Sequence, residues 1–427
     1  VSGGESVAGG VAEGVFDDLR EAVAPVAERF MAAGQRLYLV GGLVRDRLRG
    51  LPRTTDHDLT TDATPDQVRE LVEGVADAVW LQGERFGTVG IRVGDLIMEI
   101  TTHRAESYMG DSRKPVVRFS TDLHEDLGRR DFTVNAMAVD VVDGELHDPY
   151  DGQADLAAGI LRTPLSPEES FGDDPLRMLR AARFHAGYDL TPVAELVEAA
   201  RSLAGRIGIV SGERIRGELF RLLEVADPTL GFGFLEDVDL ERRVLPELAR
   251  LDGDARSTAL ACVAATTTDP VLRLAVIAWS TAGLAESTVA LRLSGVDAGR
   301  IATLVDGADR IQIRGADGAP WSDESVRRLA VGSGSSLDQV VDFAGSVGIL
   351  MGDLPVALDR LRSSGELDDL GPALDGDEVM VLLGLDAGRE VGEALAWLGQ
   401  LRLGEGRMEP GDAAGRLLDW WSTRTLD

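Results

Sequence analysis

The sequence predicts an α+β chain: an N-terminal mixed α/β head followed by a long all-α remainder. Three observations carry this. Up to about residue 155, short β-branched and aromatic runs alternate with helical patterns. Beyond it the strand signals fade and helical spacing continues to the C-terminal end. At 427 residues the chain is long enough for two to four domains with sizeable cores.

Taken in order, residues 1–10 are Gly- and Ser-rich and are expected to be disordered, and Val11 to Ala33 has helical spacing closed by Gly34. Leu37-Tyr38-Leu39-Val40 reads as a buried strand ended by Gly41-Gly42, with a helix over Leu43–Leu48. Thr64 caps a helix over Gln67–Val75, with Pro65 in its first turn. Ala78–Leu81, Arg85–Val93 and Leu96–Thr102 read as strands, the last two joined by a Gly94-Asp95 hairpin turn. Ala105–Ser120 has no period and reads as a flexible loop, and a hairpin is expected around Asp143-Gly144. Helices are then expected over Asp155–Ile160, Pro175–Phe184, Pro192–Leu203, Glu213–Val225 (capped by Ser211) and Leu230–Leu251, continuing to Arg424. The mixed α/β part is expected to end near residue 155, and Gly315–Pro320 to be a joint within the helical remainder.

The net charge is −30, from 73 acidic and 43 basic residues, which excludes a general nucleic-acid-coating protein but not a local basic groove. Lys114 is the only lysine. The single Cys262 cannot form an internal disulfide, which fits a reducing cytoplasm. No run approaches the roughly 18 apolar residues that span a membrane, and the N-terminus lacks the basic and apolar regions of a secretory signal. The expectation is a cytoplasmic chain without membrane contact.

A strand, a Gly-Gly turn and a helix start offer backbone N–H groups to a phosphate, because close approach needs residues without Cβ. Downstream, Asp56 and Asp58 flank His57. Alternate strand residues share a face, so both carboxylates would aim at one point, as oxygen ligands for Mg²⁺ must. Glu99, in an otherwise apolar strand, is either a solvent-facing residue or a third carboxylate. In Leu127–Asn135, adjacent arginines could hold triphosphate oxygens in charge-assisted forks, and Asp131 could accept from a ribose hydroxyl. An ion-paired surface turn is the plainer alternative.

Phe171–Phe184 is the second informative stretch. Asp173 and Asp174 precede Pro175, a good helix start, and Arg177, Arg180 and Arg183 recur every three residues. From Phe171 to Arg221 there are eight basic and seven acidic side chains, well above the chain's average balance. An Asp174–Arg177 pair offers an acceptor beside a fork of donors. Cytosine and adenine both present an amino donor beside a ring-nitrogen acceptor and match this edge. Uracil and guanine invert it and would leave charged groups unpaired.

GGLVRD (41–46), DHD (56–58), RFGTVG (85–90), MEITTHR (98–104), RRDFTVNA (129–136), DPYDG (148–152), DDPLRMLRAARF (173–184) and GERIRGEL (212–219) occur in order. Together they closely resemble the class II CCA tRNA nucleotidyltransferases related to bacterial poly(A) polymerases. The resemblance covers roughly residues 37–225 and implies a first helix over 1–36, a nucleotidyltransferase head over 37–155, a nucleotide-selecting all-α neck over 156–226, a helical body over 227–320 and a tRNA-binding helical tail over 321–427. It implies that Asp56 and Asp58 bind two Mg²⁺ with Glu99 as the third carboxylate. Gly41, Gly42 and Arg45 would hold the triphosphate, with Arg130 helping and Asp131 near the ribose. Asp174 and Arg177 would be the amino-acid template, with Arg180 and Arg183 supporting the nucleotide or the RNA end. The implied activity is template-independent addition of CCA to the tRNA 3′ end from CTP and ATP, with no protein partner. Poly(A) polymerase or partial CC- or A-adding activity is the alternative, and a catalytically silent RNA-binding protein a remoter one. A full-length loop around Glu106–Pro115 favours complete CCA addition. The tail, with 20 acidic and 9 basic residues from Trp321 onward, does not suggest the basic flanks of a poly(A) polymerase. No histidine follows His185, so the body cannot build the His-Asp metal site of phosphohydrolase modules.

Overall fold

The computed structural model describes residues 14–51, 56–81, 87–107, 116–316 and 318–424. Two compact units are present: residues 1–250 with 290–292, and residues 251–289 with 293–427.

The first unit opens with α1 (Asp17–Ala32), whose buried Leu19, Val23, Val26 and Phe30 recur at helical spacing. Then come β1 (Leu37–Val40), α2 (Gly42–Leu48), β2 (Asp56–Thr61) and α3 (Pro65–Val72). Thr64 and Gln67 form a reciprocal capping box at the start of α3. Next are β3 (Ala78–Trp80), β4 (Thr88–Val93), β5 (Leu96–Thr102), β6 (Arg104–Ser107), β7 (Val116–Phe119), α4 (Leu123–Gly128), β8 (Ala138–Asp140) and β9 (Leu146–His147). Seven strands form one sheet in the order β3-β4-β5-β2-β1-β8-β9. β2 and β5 are parallel and the other pairs antiparallel. Leu39, Leu59, Val89, Ile91, Met98 and Ile100 are buried with α1 and α3 in one apolar cluster. That burial fixes which strand positions are left on the opposite face.

A helical region follows: α5 (Gly152–Ala158), α6 (Pro167–Asp173), α7 (Arg177–Tyr188), α8 (Ala194–Leu203), α9 (Gly212–Leu223), α10 (Thr229–Asp237), α11 (Glu241–Val244) and α12 (Pro246–Ala249). Ser211 caps α9, as its position in the sequence suggests. The second unit contains α13 (Gly253–Ala265) and α14 (Pro270–Ser280). After α15 (Ala285–Ala290) it continues with α16 (Gly295–Gly315), α17 (Asp323–Ser333), α18 (Leu337–Ser346), α19 (Leu354–Ser363), α20 (Gly376–Leu383), α21 (Arg389–Glu405) and α22 (Pro410–Arg424). None of the described helices is long and apolar enough to cross a membrane.

Four expectations need correction. The stretch expected as a loop over 105–120 carries paired strands, β6 and β7, in register from Arg104↔Phe119 to Ser107↔Val116, while 108–115 lie outside the described residues. The helix expected from Pro175 begins at Arg177, because Asp173 ends α6 and Asp174 is extended. The single helix expected over 230–251 is three, interrupted where Asp239 is left-handed (φ 64°) and where Pro246 restarts the chain. The neck is not wholly helical: β10 (Ile160–Leu161) pairs with β11 (Thr191–Pro192). The expectations for residues 1–10, for Arg85 and for the tip of the loop lie outside the described residues.

Candidate active site

Two clusters in the first unit carry chemistry. The first is on the sheet. In the parallel β2–β5 register, Asp58 lies beside Glu99 and Asp56 beside Ile97. Directly opposed residues in neighbouring strands share a face. Asp58 and Glu99 are both exposed, while His57, Leu59, Met98 and Ile100 between and around them are buried. His57 therefore sits on the core side, away from the carboxylates, as expected. The side chain of Asp56 lies outside the described residues. Among the described residues no group of three potential metal ligands is assembled. The donors on the exposed face, two carboxylates in register, are the hard oxygen ligands that a Mg²⁺-sized cation takes.

The second cluster is an open cleft of about 560 Å³, lined by Arg130, Asp131, Asp174, Arg177, Arg180 and Arg214 among others. Five of these six were legible as candidates in the sequence. Arg177 donates through Nη1 to Ser170 Oγ at 2.8 Å and through Nη2 to the carbonyl of Arg129. Asp174 accepts the Leu176 N–H at one oxygen (3.2 Å) and Arg214 Nη2 at the other (2.8 Å). Both members of the Asp174–Arg177 edge are thus held from behind. A guanidinium has five N–H donors and a carboxylate about four lone-pair sites, so each keeps capacity for a ligand.

Beneath this edge lies a network of buried acids. Asp131 accepts two N–H groups of Arg180 at 2.9 and 2.6 Å on one oxygen. Its other oxygen accepts Phe132 N–H and Asn135 Nδ2, both at 2.9 Å. Burial alone would raise the Asp131 carboxyl, but the Arg180 guanidinium and the Asn135 amide hold it well below the usual range. Glu218 of α9, 2 % exposed, accepts from Arg180 (3.2 Å), Arg183 (3.0 Å) and Arg221 (2.6 Å). Arg180 is held protonated by these two acids against the effect of its burial. Asp126, fully buried, accepts Arg129 Nε at 3.1 Å and Arg130 Nη2 at 3.3 Å. Burial opposes its ionisation, yet those arginines hold it at about 2.

The Gly-Gly turn meets this network. Gly41 has φ 74° and ψ −134°, a conformation that a side chain disfavours, and a Cβ there would stand 3.0 Å from Arg130 Nη1. Gly42 opens α2 and would meet Arg45 at 3.4 Å. Arg45 is 4 % exposed and does not line the cleft. It donates to Asn135 Oδ1 (2.6 Å), Tyr188 OH (2.8 Å) and Asp46 Oδ1 (2.8 Å), with its guanidinium 4.1 Å over the Tyr188 ring. Arg183 likewise lies outside the cleft lining, against Glu218 and the Phe184 ring. Sequence reasoning assigned no role to Asp126, Arg214 or Glu218. The only signals were GERIRGEL, for the last two, and the arginine excess it helps to make.

Residues 37–162 match the poly A polymerase head domain, and residues 189–251 match the "probable RNA and SrmB- binding site of polymerase A". The CCA-adding enzyme of Staphylococcus aureus is 38% identical over 221 residues, 52% of this chain and 54% of that enzyme. That of Lactiplantibacillus plantarum is 39% identical over 230 residues, 54% of this chain and 55% of the enzyme. Over these stretches the chain is similar to class II CCA tRNA nucleotidyltransferases and bacterial poly(A) polymerases. The match spans about half the length of these curated relatives. The Bacillus stearothermophilus CCA-adding enzyme, solved in complex with CTP, superposes with a TM-score of 0.72 at 25% identity, covering 97% of this chain and 99% of that one. The Thermotoga maritima CCA-adding enzyme, solved with tRNA, shares the fold with a TM-score of 0.64 at 19% identity, covering 96% of each chain.

Proposed function

We propose that the chain adds CCA to the 3′ end of tRNA from CTP and ATP, without a nucleic-acid template, in the cytoplasm. The observation that carries this is the Asp174–Arg177 edge, held from behind in an arginine-lined cleft. Such an edge accepts the amino group of cytosine or adenine at Asp174 and donates to the ring nitrogen from Arg177. Uracil or guanine would set acceptor against acceptor and donor against donor there, which costs more than a bond gained. A CCA-adding enzyme of this fold solved with CTP supports CTP as a substrate.

Arg130, behind Gly41, and Arg180 would face the triphosphate. The Gly41–Gly42 turn allows close approach without a Cβ. Asp131 has both oxygens engaged, so its part is to hold Arg180 and Asn135 in place, and any ribose contact would be a further acceptor role. Asp56 and Asp58 would hold divalent cations, of which Mg²⁺ is the proposed one, with Glu99 alongside. When bound, such cations supply Lewis acidity to the attacking 3′-hydroxyl and charge neutralisation to the departing pyrophosphate.

The test is extension of three tRNA transcripts, ending before CCA, after C and after CC, with labelled CTP or ATP. Addition of CC and then one A is expected. A long A tail would make the chain a poly(A) polymerase, and CC alone or A alone half of a split system. No incorporation would leave an RNA-binding protein. Arg177→Ala is expected to relax selection of CTP and ATP against UTP and GTP by roughly tenfold or more, the scale of one unpaired polar group. Unchanged selection would remove the Asp174–Arg177 edge as the template.

A further inference from the structure

The row of residues that carries Asp58 and Glu99 does not end with them. Asp58 pairs with Glu99, Glu99 with Gly90 of β4, and Gly90 with Trp80 of β3. Directly opposed residues in neighbouring strands share a face, so all four lie on the carboxylate face of the sheet. The adjacent row brings Ile97 and Arg92 beside Asp56. Trp80 is half-buried and faces away from the apolar cluster of α1 and α3. Its indole lies across Gly90, where a Cβ would stand 1.9 Å from Nε1 and 2.2 Å from Cε2. Glycine weakens a strand interior and marks a place that something approaches closely, and here that is the indole. The ring is thereby carried over β4 to within one strand spacing, ~5 Å, of the strand that bears Glu99. Its N–H has no hydrogen-bond partner among the described residues. Arg92 is exposed and has no ion pair among them. An indole and an unclaimed guanidinium thus stand on open surface beside the carboxylates.

An in-line transfer needs the attacking hydroxyl and the departing group on opposite sides of the reacting phosphorus. The sheet gives the carboxylates two flanks. On one, β1 leads into the Gly41–Gly42 turn, to which the triphosphate is assigned above. On the other, beyond β5, lie β4 and β3, and this flank is left for the acceptor strand. The Asp174–Arg177 edge is taken by the incoming base, so the acceptor needs a base-binding surface of its own. We propose that Trp80 is that surface: its indole stacks on the 3′-terminal base of the RNA acceptor and holds the terminal hydroxyl at the carboxylates, with Arg92 against a phosphate of the same strand. Stacking tolerates any base, because every base has a π-face, and the terminal base of the acceptor changes from step to step of CCA addition. This rests on the transferase reading above, and the experiment separates the two.

The test uses the full-length chain as wild type, Trp80→Leu and Trp80→Phe, with a tRNA transcript carrying 2-aminopurine as its 3′-terminal nucleotide. Leucine keeps an apolar cover over Gly90 and removes the ring, and phenylalanine keeps a ring. Binding to the wild type is expected to quench the 2-aminopurine by stacking. Trp80→Leu should lose most of that quenching and Trp80→Phe keep part of it. In extension of unlabelled tRNA, Trp80→Leu is expected to lower kcat/KM for tRNA about five- to 150-fold, the range for one stacked base, with partial recovery in Trp80→Phe. The KM for CTP at saturating tRNA should be unchanged. If the wild type extends tRNA while Trp80→Leu keeps both the quenching and kcat/KM, the platform is refuted and the transferase reading stands. If the wild type adds no nucleotide but quenches the label in a Trp80-dependent way, the platform is supported and the transferase reading falls. If the variants raise the KM for CTP and leave kcat/KM for tRNA and the quenching untouched, the ring serves the incoming nucleotide and the proposal is overturned. A loss of kcat/KM for tRNA with unaltered quenching in both variants would assign the ring to holding β3 on β4, and overturns it as well.

Discussion

Replacing Glu218 by Gln tests whether the cleft stands on its buried acids. The carboxylate is 2 % exposed and receives Arg180, Arg183 and Arg221. Glutamine preserves the shape and removes the charge. Breaking a buried pair by removing one partner costs about 3–5 kcal/mol. Two features reduce this here. Arg180 keeps Asp131 at 2.6 Å, and Arg221, with 59% of its side chain exposed, contributes under ~1 kcal/mol. The residual cost falls mainly on Arg183, 15% exposed and without another acid, and comes to about 2–4 kcal/mol. The first unit has one tryptophan, Trp80, against five in the second, so intrinsic fluorescence would report the wrong unit. Hydrogen exchange of the α7 and α9 amides reads the opening free energy locally. A loss below about 1 kcal/mol in those amides would refute the buried-counterion account of the cleft. There is also a pH signature. Burial would raise the Glu218 carboxyl above 4.5, but Arg183, Arg180 and Arg221 hold it below. Its contribution is therefore complete above pH 4.5 and lost as pH falls through the lowered value, and Glu218→Gln lacks that part of the acid dependence.

Asp126→Asn carries a similar signature at lower pH. With a carboxyl ordinarily near 3.8 held at about 2, Asp126 contributes roughly 2 kcal/mol above pH 3.8, lost between there and pH 2. The variant should be less stable at neutral pH and converge on the wild type near pH 2, as measured by urea midpoints across pH. Gly90→Ala places a Cβ on the Trp80 indole that lies across β4. A cost of about 1–3 kcal/mol and a changed Trp80 environment in near-UV circular dichroism are expected, and a neutral result would show that the ring moves freely.

Much of the head was legible because its signals are local. The apolar run Leu37–Val40, the Gly-Gly turn and the alternation through Asp56–Asp58 each lie within a few residues, and β1, α2 and β2 form there. The cross-strand placement of Glu99 beside Asp58 was not local, and family resemblance rather than periodicity suggested it. The β6–β7 ribbon was missed because its strands are four residues each, too short to show a period. Asp126 and Glu218 were missed for a different reason. A buried acid has the same letter as a solvated one, and what marks it is partners distant in sequence, such as Thr60 and the Arg104 N–H for Asp126, or Arg180 and Arg183 for Glu218. Arg45 shows the reverse: inside a phosphate-turn motif, its side chain goes to Asn135 and Tyr188, residues that only the fold brings near.

The acidic composition and the anionic substrates proposed above are reconciled by where the acids sit. In the first cleft Asp126, Asp131 and Glu218 are buried beneath the arginines they hold. Asp131 and Glu218 reach the cleft wall, but their oxygens are engaged by the guanidiniums they orient, and each guanidinium keeps further N–H donors. The arrangement sacrifices long-range attraction, since a paired guanidinium projects little field beyond a Debye length of about 10 Å at 0.1 M salt. It gains fixed direction, which the base-edge reading proposed above needs more than steering. A nucleotide carrying its own triphosphate can be recognised by such oriented, locally neutralised donors.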